Sequence, residues 1–165
     1  NHIKSFVKDG DLERISRGVY QVAGGETDIN SEVLFKIATL RMNCKSAVCL
    51  LSALEFYHLT DVISKKVWLM VDKQNRTAKS DIRVFRTANP YWNSGIRKEK
   101  GYSITTIERT LVDCLVQKKL IGTHTAIAAI KTAISKKETT LAKVIDMATG
   151  LGVEHRLYIY FESLA

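Results

Sequence analysis

The side chains best placed to form a binding site near the beginning of this chain are positively charged. Lys4, Lys8, Arg14 and Arg17 lie within a short stretch that is otherwise mixed in character. Lysine and arginine side chains supply most of the phosphate contacts that position a protein on nucleic acid. These four residues are therefore candidate DNA-binding residues.

A second basic segment occupies the middle of the chain. Between Ser64 and Arg86 seven basic residues stand against Asp72 and Asp81, and a further basic run precedes Gly101. Such a segment is either a second polyanion-binding surface or a solvated face on which lysines protect strand edges. The members of this possible secondary basic surface are Lys65, Lys66, Lys73, Arg76, Lys79, Arg83, Arg86, Arg97, Lys98 and Lys100.

Acidic residues could instead indicate a metal-dependent nuclease, which needs clustered carboxylates and a lysine. Asp72 or Asp81 would have to meet Glu99 and Lys100 from separate segments. The chain also lacks a phosphate-binding glycine loop, a nucleophile elbow and an HExxH motif. The sequence therefore predicts no catalytic residue, no metal site and no cofactor, and it does not read as an enzyme.

Composition supports a globular protein with an anionic partner. The 165 residues are 45% hydrophobic and 25% charged, and 25 basic against 17 acidic residues give a net charge of +8. No apolar run approaches a membrane span, so we expect no membrane partner. Cys44, Cys49 and Cys114 are odd in number and lack metal-ligand spacing, which favours reduced thiols in a cytoplasmic protein.

The first 24 residues have the pattern of a helix followed by a hairpin. Residues 2–8 carry apolar positions on one side, Asp9 and Gly10 end the helix, and residues 12–15 and 19–22 alternate like strands. Gly18 can supply the positive φ of the connecting turn. A helix and a basic hairpin form the last part of a winged helix-turn-helix, in which the hairpin contacts phosphates.

Ala23 to Gly25 is the best candidate linker, giving one domain over 1–24 and another over 25–165. In the second domain an amphipathic helix is predicted over 31–43, with Val33, Ile37 and Leu40 aligned and Leu34 beside them. The apolar segment after Ser46 predicts a helix buried at the centre of that domain.

Two short runs, Val67 to Val71 and Ile82 to Phe85, predict neighbouring strands. A helix should begin near Thr105, because Thr105 and Glu108 have the spacing of a capping box. One face of this helix is apolar and indicates a largely buried helix: Ile107, Leu111, Cys114 and Leu115. Arg109 and Asp113 form an ordinary pair on the opposite side.

An alanine-rich segment after Gly122 and Thr123 predicts a helix, with isoleucines on neighbouring turns (Ile127, Ile130 and Ile134). A second helix is capped by Thr139 or Thr140 and ends at Gly150, and a last one spans 153–164. The predicted fold class is thus α+β and helix-rich: a partial winged-helix remnant, then an α/β domain with a small sheet and several helices.

Three segments together resemble a known family. Leu12 to Tyr20 (LERISRGVY), Ser52 to Leu59 (SALEFYHL) and Thr105 to Asp113 (TTIERTLVD) are similar, in order and spacing, to AbiEi-type antitoxins of bacterial abortive-infection and type IV toxin-antitoxin systems. Arg156 to Glu162 (RLYIYFE) is similar to the last helix of that family.

The resemblance implies an N-terminal winged helix-turn-helix that represses its own operon and a C-terminal antitoxin domain. The implied partners are operator DNA with inverted repeats, bound through a complete N-terminal domain, and a nucleotidyltransferase-like toxin. The family has further helices before its recognition helix, so this chain would carry only the recognition-helix remnant and the wing.

Two alternatives belong to other classes. One is the nuclease-type nucleic-acid enzyme considered above. The other is a protein-interaction module without DNA binding, in which Tyr91 and Trp92 are the anchors.

Overall fold

The chain begins with the predicted helix and hairpin. The structure, a computed structural model, describes residues 2–16, 19–24, 30–74 and 79–164. Helix α1 comprises His2–Lys8, and strands β1 (Leu12–Ser16) and β2 (Val19–Val22) pair antiparallel. Gly18, the predicted turn residue, lies outside the described residues, as does Gly25 of the predicted linker.

The longer part of the chain, from Ser31 onwards, mixes helices and strands. Its helices are α2 (Ser31–Met42), α3 (Leu50–Phe56), α4 (Ile107–Val116), α5 (Lys118–Ile121), α6 (Thr123–Ser135), α7 (Leu141–Gly150) and α8 (Tyr158–Glu162), with a 3₁₀ turn at Glu154–Arg156. Its strands are β3 (Ser46–Val48), β4 (Val67–Asp72), β5 (Ile82–Thr87), β6 (Ile96–Glu99) and β7 (Tyr102–Thr105). The predicted α+β class is confirmed.

These five strands form a mixed sheet in the order β5-β4-β3-β7-β6. The central strand β3 pairs antiparallel with β4 and parallel with β7. On one side β4 and β5 run parallel, and on the other β6 and β7 form an antiparallel pair. Strand β3 is buried along its whole length, as expected for the middle of a sheet covered on both faces.

Helices cover the two faces of the sheet with separate apolar clusters. On one face Met70 of β4 packs among residues of α4, α6 and α7, including Leu111 and Ile130. On the other face Phe35 of α2 packs against the sheet, with its ring centroid 5.6 Å from that of Tyr102. The sheet is therefore the middle layer of the second part of the chain.

Helix α2 forms where it was predicted but turns a different face inward. Asn30 caps it, since the Asn30 side chain accepts a hydrogen bond from the Val33 amide at 3.1 Å. The buried side chains are Phe35, Ala38 and Met42, whereas Leu40, one of the aligned residues, is 66% exposed. Val33 and Ile37 are partly buried and Leu34 is exposed, so the aligned apolar residues of the prediction do not mark the face that the helix buries.

The apolar segment after Ser46 lies at the centre, as predicted, but it is not one helix. Ser46–Val48 is the central strand, and α3 starts only at Leu50. Leu50 has φ of 50°, an unusual conformation for a residue with a branched side chain, and it marks the change from strand to helix. A strand buried on both faces is as apolar as a buried helix, so periodicity could not separate them.

The N-cap of helix α4 lies one residue after the predicted cap, Thr105. Thr106 is the N-cap, and its hydroxyl accepts from the Arg109 amide at 3.3 Å. Thr105 ends β7, and its hydroxyl lies 2.6 Å from that of Thr110. The Glu108 carboxylate accepts from the Thr139 hydroxyl at 2.7 Å, so the predicted capping box was wrong.

Candidate nucleic-acid interface

Helix α1 presents two of the four candidate DNA-binding residues. Lys4 and Lys8 are four positions apart, which places them on one side of the helix, and both are exposed. Lys8 stands in the last turn, where a positive charge interacts favourably with the helix dipole. The two ammonium groups can therefore approach the same polyanion.

The hairpin presents the third candidate. Arg14 lies on β1 opposite Tyr20 of β2 and is exposed. Arg17, which the sequence placed at the tip of the wing, lies outside the described residues. The hairpin therefore contributes one described cation beside those of α1.

Backbone hydrogen bonds hold the helix and the hairpin together. The Asp11 amide donates to the Phe6 carbonyl at 2.9 Å, and the Ala23 amide donates to the Asp11 carbonyl at 2.9 Å. Gly10, with φ of 84°, allows the chain to reverse between the two elements. The end of α1 is thus fixed at the open end of the hairpin.

Helix α1 has an apolar face that it does not bury within the described residues. Ile3, Phe6 and Val7 are 47%, 46% and 37% exposed. In a winged helix-turn-helix the recognition helix packs on further helices through such a face. These three residues are the ones that such packing would bury.

Part of the secondary basic surface lines a groove along the edge strand β5. This groove, the β5 groove, has a volume of about 370 Å³ and contains four cations: Lys66, Lys79, Arg83 and Arg86. The guanidinium carbon of Arg83 lies 5.4 Å from the centre of the Trp68 ring. Lys73 follows β4 in an exposed turn, and Arg76 lies outside the described residues.

Lys65 lies outside the β5 groove. It lines a neighbouring cavity of about 250 Å³ between α2 and the start of β4, together with Lys66.

The other members lie at the opposite edge of the sheet. Arg97 and Lys98 belong to β6, and Lys100 follows that strand. Four strand spacings, about 19 Å, separate β5 from β6. Arg97 pairs with Glu99 at 2.5 Å and lies 5.6 Å from the Tyr57 ring centre. The basic surface predicted from the sequence is thus divided between two edges.

The carboxylates of the nuclease alternative are far apart in the sheet. Asp72 ends β4 and Asp81 precedes the parallel strand β5, so a strand length of about 20 Å separates them. Asp81 forms an ion pair with Arg41, and Glu99 lies on the far edge strand. Within the described residues no three acidic, histidine or cysteine side chains are grouped as metal ligands.

The sequence did not anticipate the buried charged pair on α4. Arg109 is fully buried, and its Nε donates to Oδ2 of Asp113 at 2.8 Å. One guanidinium nitrogen also donates to the carbonyls of Ser94, at 2.7 Å, and Tyr91, at 3.3 Å. Because the arginine bonds to a distant loop, no local periodicity could indicate its burial.

That buried arginine fixes the loop that carries the interaction-module alternative. Tyr91 is 54% exposed, whereas Trp92 is partly buried against the core and has the Lys45 ammonium 5.3 Å from its ring centre. Lys45 also donates to the Asn93 side chain at 2.8 Å. Of the two predicted anchors, Tyr91 presents the larger free surface.

Burial also controls the ionisation of the groups near this pair. It raises the pKa of the Cys49 thiol, with a further contribution from the charge of Asp113, and it raises the pKa of Cys114. Burial raises the pKa of Asp113 as well, although Arg109 opposes that change. The two buried cysteines are therefore neutral thiols, a poor state for a nucleophile.

Neither a protein-family model nor a curated protein matches this chain. The likeness to AbiEi-type antitoxins therefore stays a prediction from the sequence. Among the described helices, none combines the length and the apolar character needed to cross a membrane.

Proposed function

We propose that the protein is a cytoplasmic antitoxin that binds operator DNA, represses its own operon and counteracts a nucleotidyltransferase-like toxin. The observation that carries DNA binding is the small unit of α1, β1 and β2, in which Lys4, Lys8 and Arg14 are exposed on two joined elements. The antitoxin role is supported by the resemblance of the three sequence segments.

In this proposal α1 enters the major groove and the hairpin contacts the adjacent phosphates. The lysines and Arg14 displace condensed counterions, so affinity should fall steeply as salt rises. The apolar face of α1, with Ile3 and Phe6, packs on the other helices of a complete winged helix-turn-helix.

DNA binding is tested with the protein carrying its complete N-terminal domain and a labelled duplex from upstream of its own gene. Replacing Lys4, Lys8 and Arg14 with alanine should weaken binding at least tenfold at moderate salt. The matched control replaces Lys131, Lys143 and Arg156, which are exposed on the longer part of the chain and carry the same charge. Equal losses in both variants would contradict a specific interface on α1 and the hairpin.

The antitoxin role has its own test. The protein is co-expressed with the neighbouring open reading frame, and growth of the host is measured with and without it. Restored growth supports the proposal, whereas a harmless neighbour or unrelieved toxicity contradicts it.

A further inference from the structure

The β5 groove has two features besides its positive charge: apolar side chains and the edge of a sheet. It runs between the edge strand β5 and helix α5, from which Leu120 contributes to its wall. Phe85 and the largely buried Trp68 also line it. The groove therefore places a few apolar side chains, among a larger polar and basic surface, beside a strand edge.

A strand at the edge of a sheet leaves backbone N–H and C=O groups without sheet partners. Within the described residues β5 pairs with β4 alone, along all six positions from Ile82 to Thr87. An extended peptide can satisfy such groups by adding a further strand. The Ile82 amide already donates to the Lys79 carbonyl at 3.3 Å, so pairing would begin beyond it; the five remaining positions still match a common strand length.

The charge of the groove limits what can enter it. Lys66, Lys79, Arg83 and Arg86 line it, and no described lining residue is acidic. Lys119, next to Leu120 on α5, is exposed and adds a positive charge near the wall. Opposite charges steer association and set specificity, so the complementary occupant is acidic.

We propose that the β5 groove is the docking site for an extended acidic peptide segment of a partner protein, added as a sixth strand beside β5. Alternate side chains of the peptide enter the apolar lining formed by Trp68, Phe85 and Leu120. Carboxylates on that same face of the peptide meet Arg83, because Arg83 and Phe85 share one face of β5, while Lys79 lies just before the strand. This site is separate from α1 and the hairpin, so it does not depend on DNA binding.

The geometry favours a peptide over a nucleic acid. A phosphate backbone would use the cations but would leave the strand edge and the apolar lining unused. A peptide strand uses all three, since its main chain pairs with β5 while its side chains on one face meet both the apolar residues and Arg83.

The test uses an array of eight-residue peptides that combine Asp or Glu with Val, Ile, Leu, Phe or Tyr, with the acidic and apolar residues either alternating or placed on the same face of the strand. The tightest binder is labelled and titrated by fluorescence anisotropy. Methylating its alternate backbone nitrogens on the pairing edge keeps every charge but should weaken binding at least tenfold. Arg83→Glu and Lys79→Glu should each weaken it by a similar factor, and Lys143→Glu on α7 is the matched control.

Three results would overturn the proposal. In the first, no peptide of the array binds. In the second, methylation of the peptide backbone leaves its affinity unchanged. In the third, a single-stranded DNA of equal charge binds as tightly as the peptide, and Arg83→Glu weakens its binding by the same factor. The last result would assign the groove to nucleic acid. Amide hydrogen exchange gives a second readout, because residues 82–87 should gain protection when the peptide binds.

Discussion

The guanidinium of Arg109 lies one helical turn from the carboxylate of Asp113, with Nε 2.8 Å from Oδ2; the arginine is fully buried and the Asp113 side chain is 13% exposed. An exposed pair with this spacing contributes a few tenths of a kcal/mol. Removing one partner of a buried pair costs about 3–5 kcal/mol, because the other charge is left without compensation. The pair therefore belongs to the core rather than to the surface.

Arg109→Met should lower the free energy of unfolding by about 3–5 kcal/mol at neutral pH, measured by urea denaturation. Burial alone would then raise the pKa of Asp113, and the neutral acid would be the stable form in the folded variant. A carboxyl group whose pKa is higher in the folded than in the unfolded chain stabilises the fold at low pH, and this stabilisation is lost as pH rises through the folded-state pKa. The deficit of the variant should therefore be smaller at acidic than at neutral pH.

The double variant Arg109→Met, Asp113→Leu is the control for that result. It removes both charges together, so it should lose less stability than the two single variants combined. Simple additivity would contradict a coupled buried pair.

Gly95→Ala should be strongly destabilising because Arg109 fills the space beside Gly95. An added Cβ would lie 2.5 Å from the Arg109 Cβ, and Gly95 has φ of 68°. We expect a loss of about 2–4 kcal/mol in thermal or urea unfolding, from backbone strain and overpacking together. Gly122→Ala is the matched control, since Gly122 also has positive φ but meets only ordinary contact at 3.5 Å. Equal losses would exclude the steric part of the argument.

Tyr57 should make the protein sensitive to alkaline pH. Burial raises the pKa of Tyr57 to about 12, and its hydroxyl donates to the Thr105 carbonyl at 2.8 Å. The stabilisation that the neutral Tyr57 phenol provides is fully present below the ordinary tyrosine pKa of 10, and it is lost as pH rises through about 12. Tyr57→Phe should cost about 1 kcal/mol at neutral pH.

The difference between wild type and Tyr57→Phe should shrink between pH 10 and 12. Comparing the two proteins removes the effect of lysine titration, which they share. A constant difference across that range would show that the phenol ionises equally well in the folded and unfolded chains.

Thr106→Ala should cost about 1 kcal/mol in unfolding free energy, because it removes the cap of α4. Thr106→Ser keeps the acceptor and should leave stability nearly unchanged, which makes it the control. If serine were as harmful as alanine, the side chain would matter for some reason other than capping.

The salt dependence of operator binding should report the number of phosphate contacts. Each cation lost from the interface should reduce the slope of log K against log salt by about 0.9. Replacing both Lys4 and Lys8 with alanine should therefore flatten the slope by about two, measured by anisotropy over a range of salt concentrations. An unchanged slope would place these lysines away from the DNA.

Sequence periodicity predicted most helices because their patterns are local. The inner face of α4 with Leu111, Cys114 and Leu115 is buried as predicted, and Thr140 caps α7. Helix α1 and the hairpin also occur where they were expected. In each case the deciding contacts join residues only a few positions apart.

The sequence failed where distant residues decide the structure. Ser46–Val48 became a strand because Val71 and Ile104 flank it in the sheet. Arg109 is buried because the carbonyls of Ser94 and Tyr91 accept hydrogen bonds from its guanidinium group. The division of the basic residues between β5 and β6 likewise follows from strand order, which composition does not contain.

The three-residue strand β3 has a consequence for how the protein acquires its structure. Among the strands that the structure describes, β3 is the one that joins the β4–β5 pair to the β6–β7 pair, and Val48 meets Ile104 across 56 positions of sequence. Such a long closure slows folding, because chain entropy is lost before the contact stabilises anything. During synthesis on the ribosome, one side of β3 therefore stays unpaired until β7 has emerged. A chain truncated before β7 would expose that strand edge, which favours aggregation.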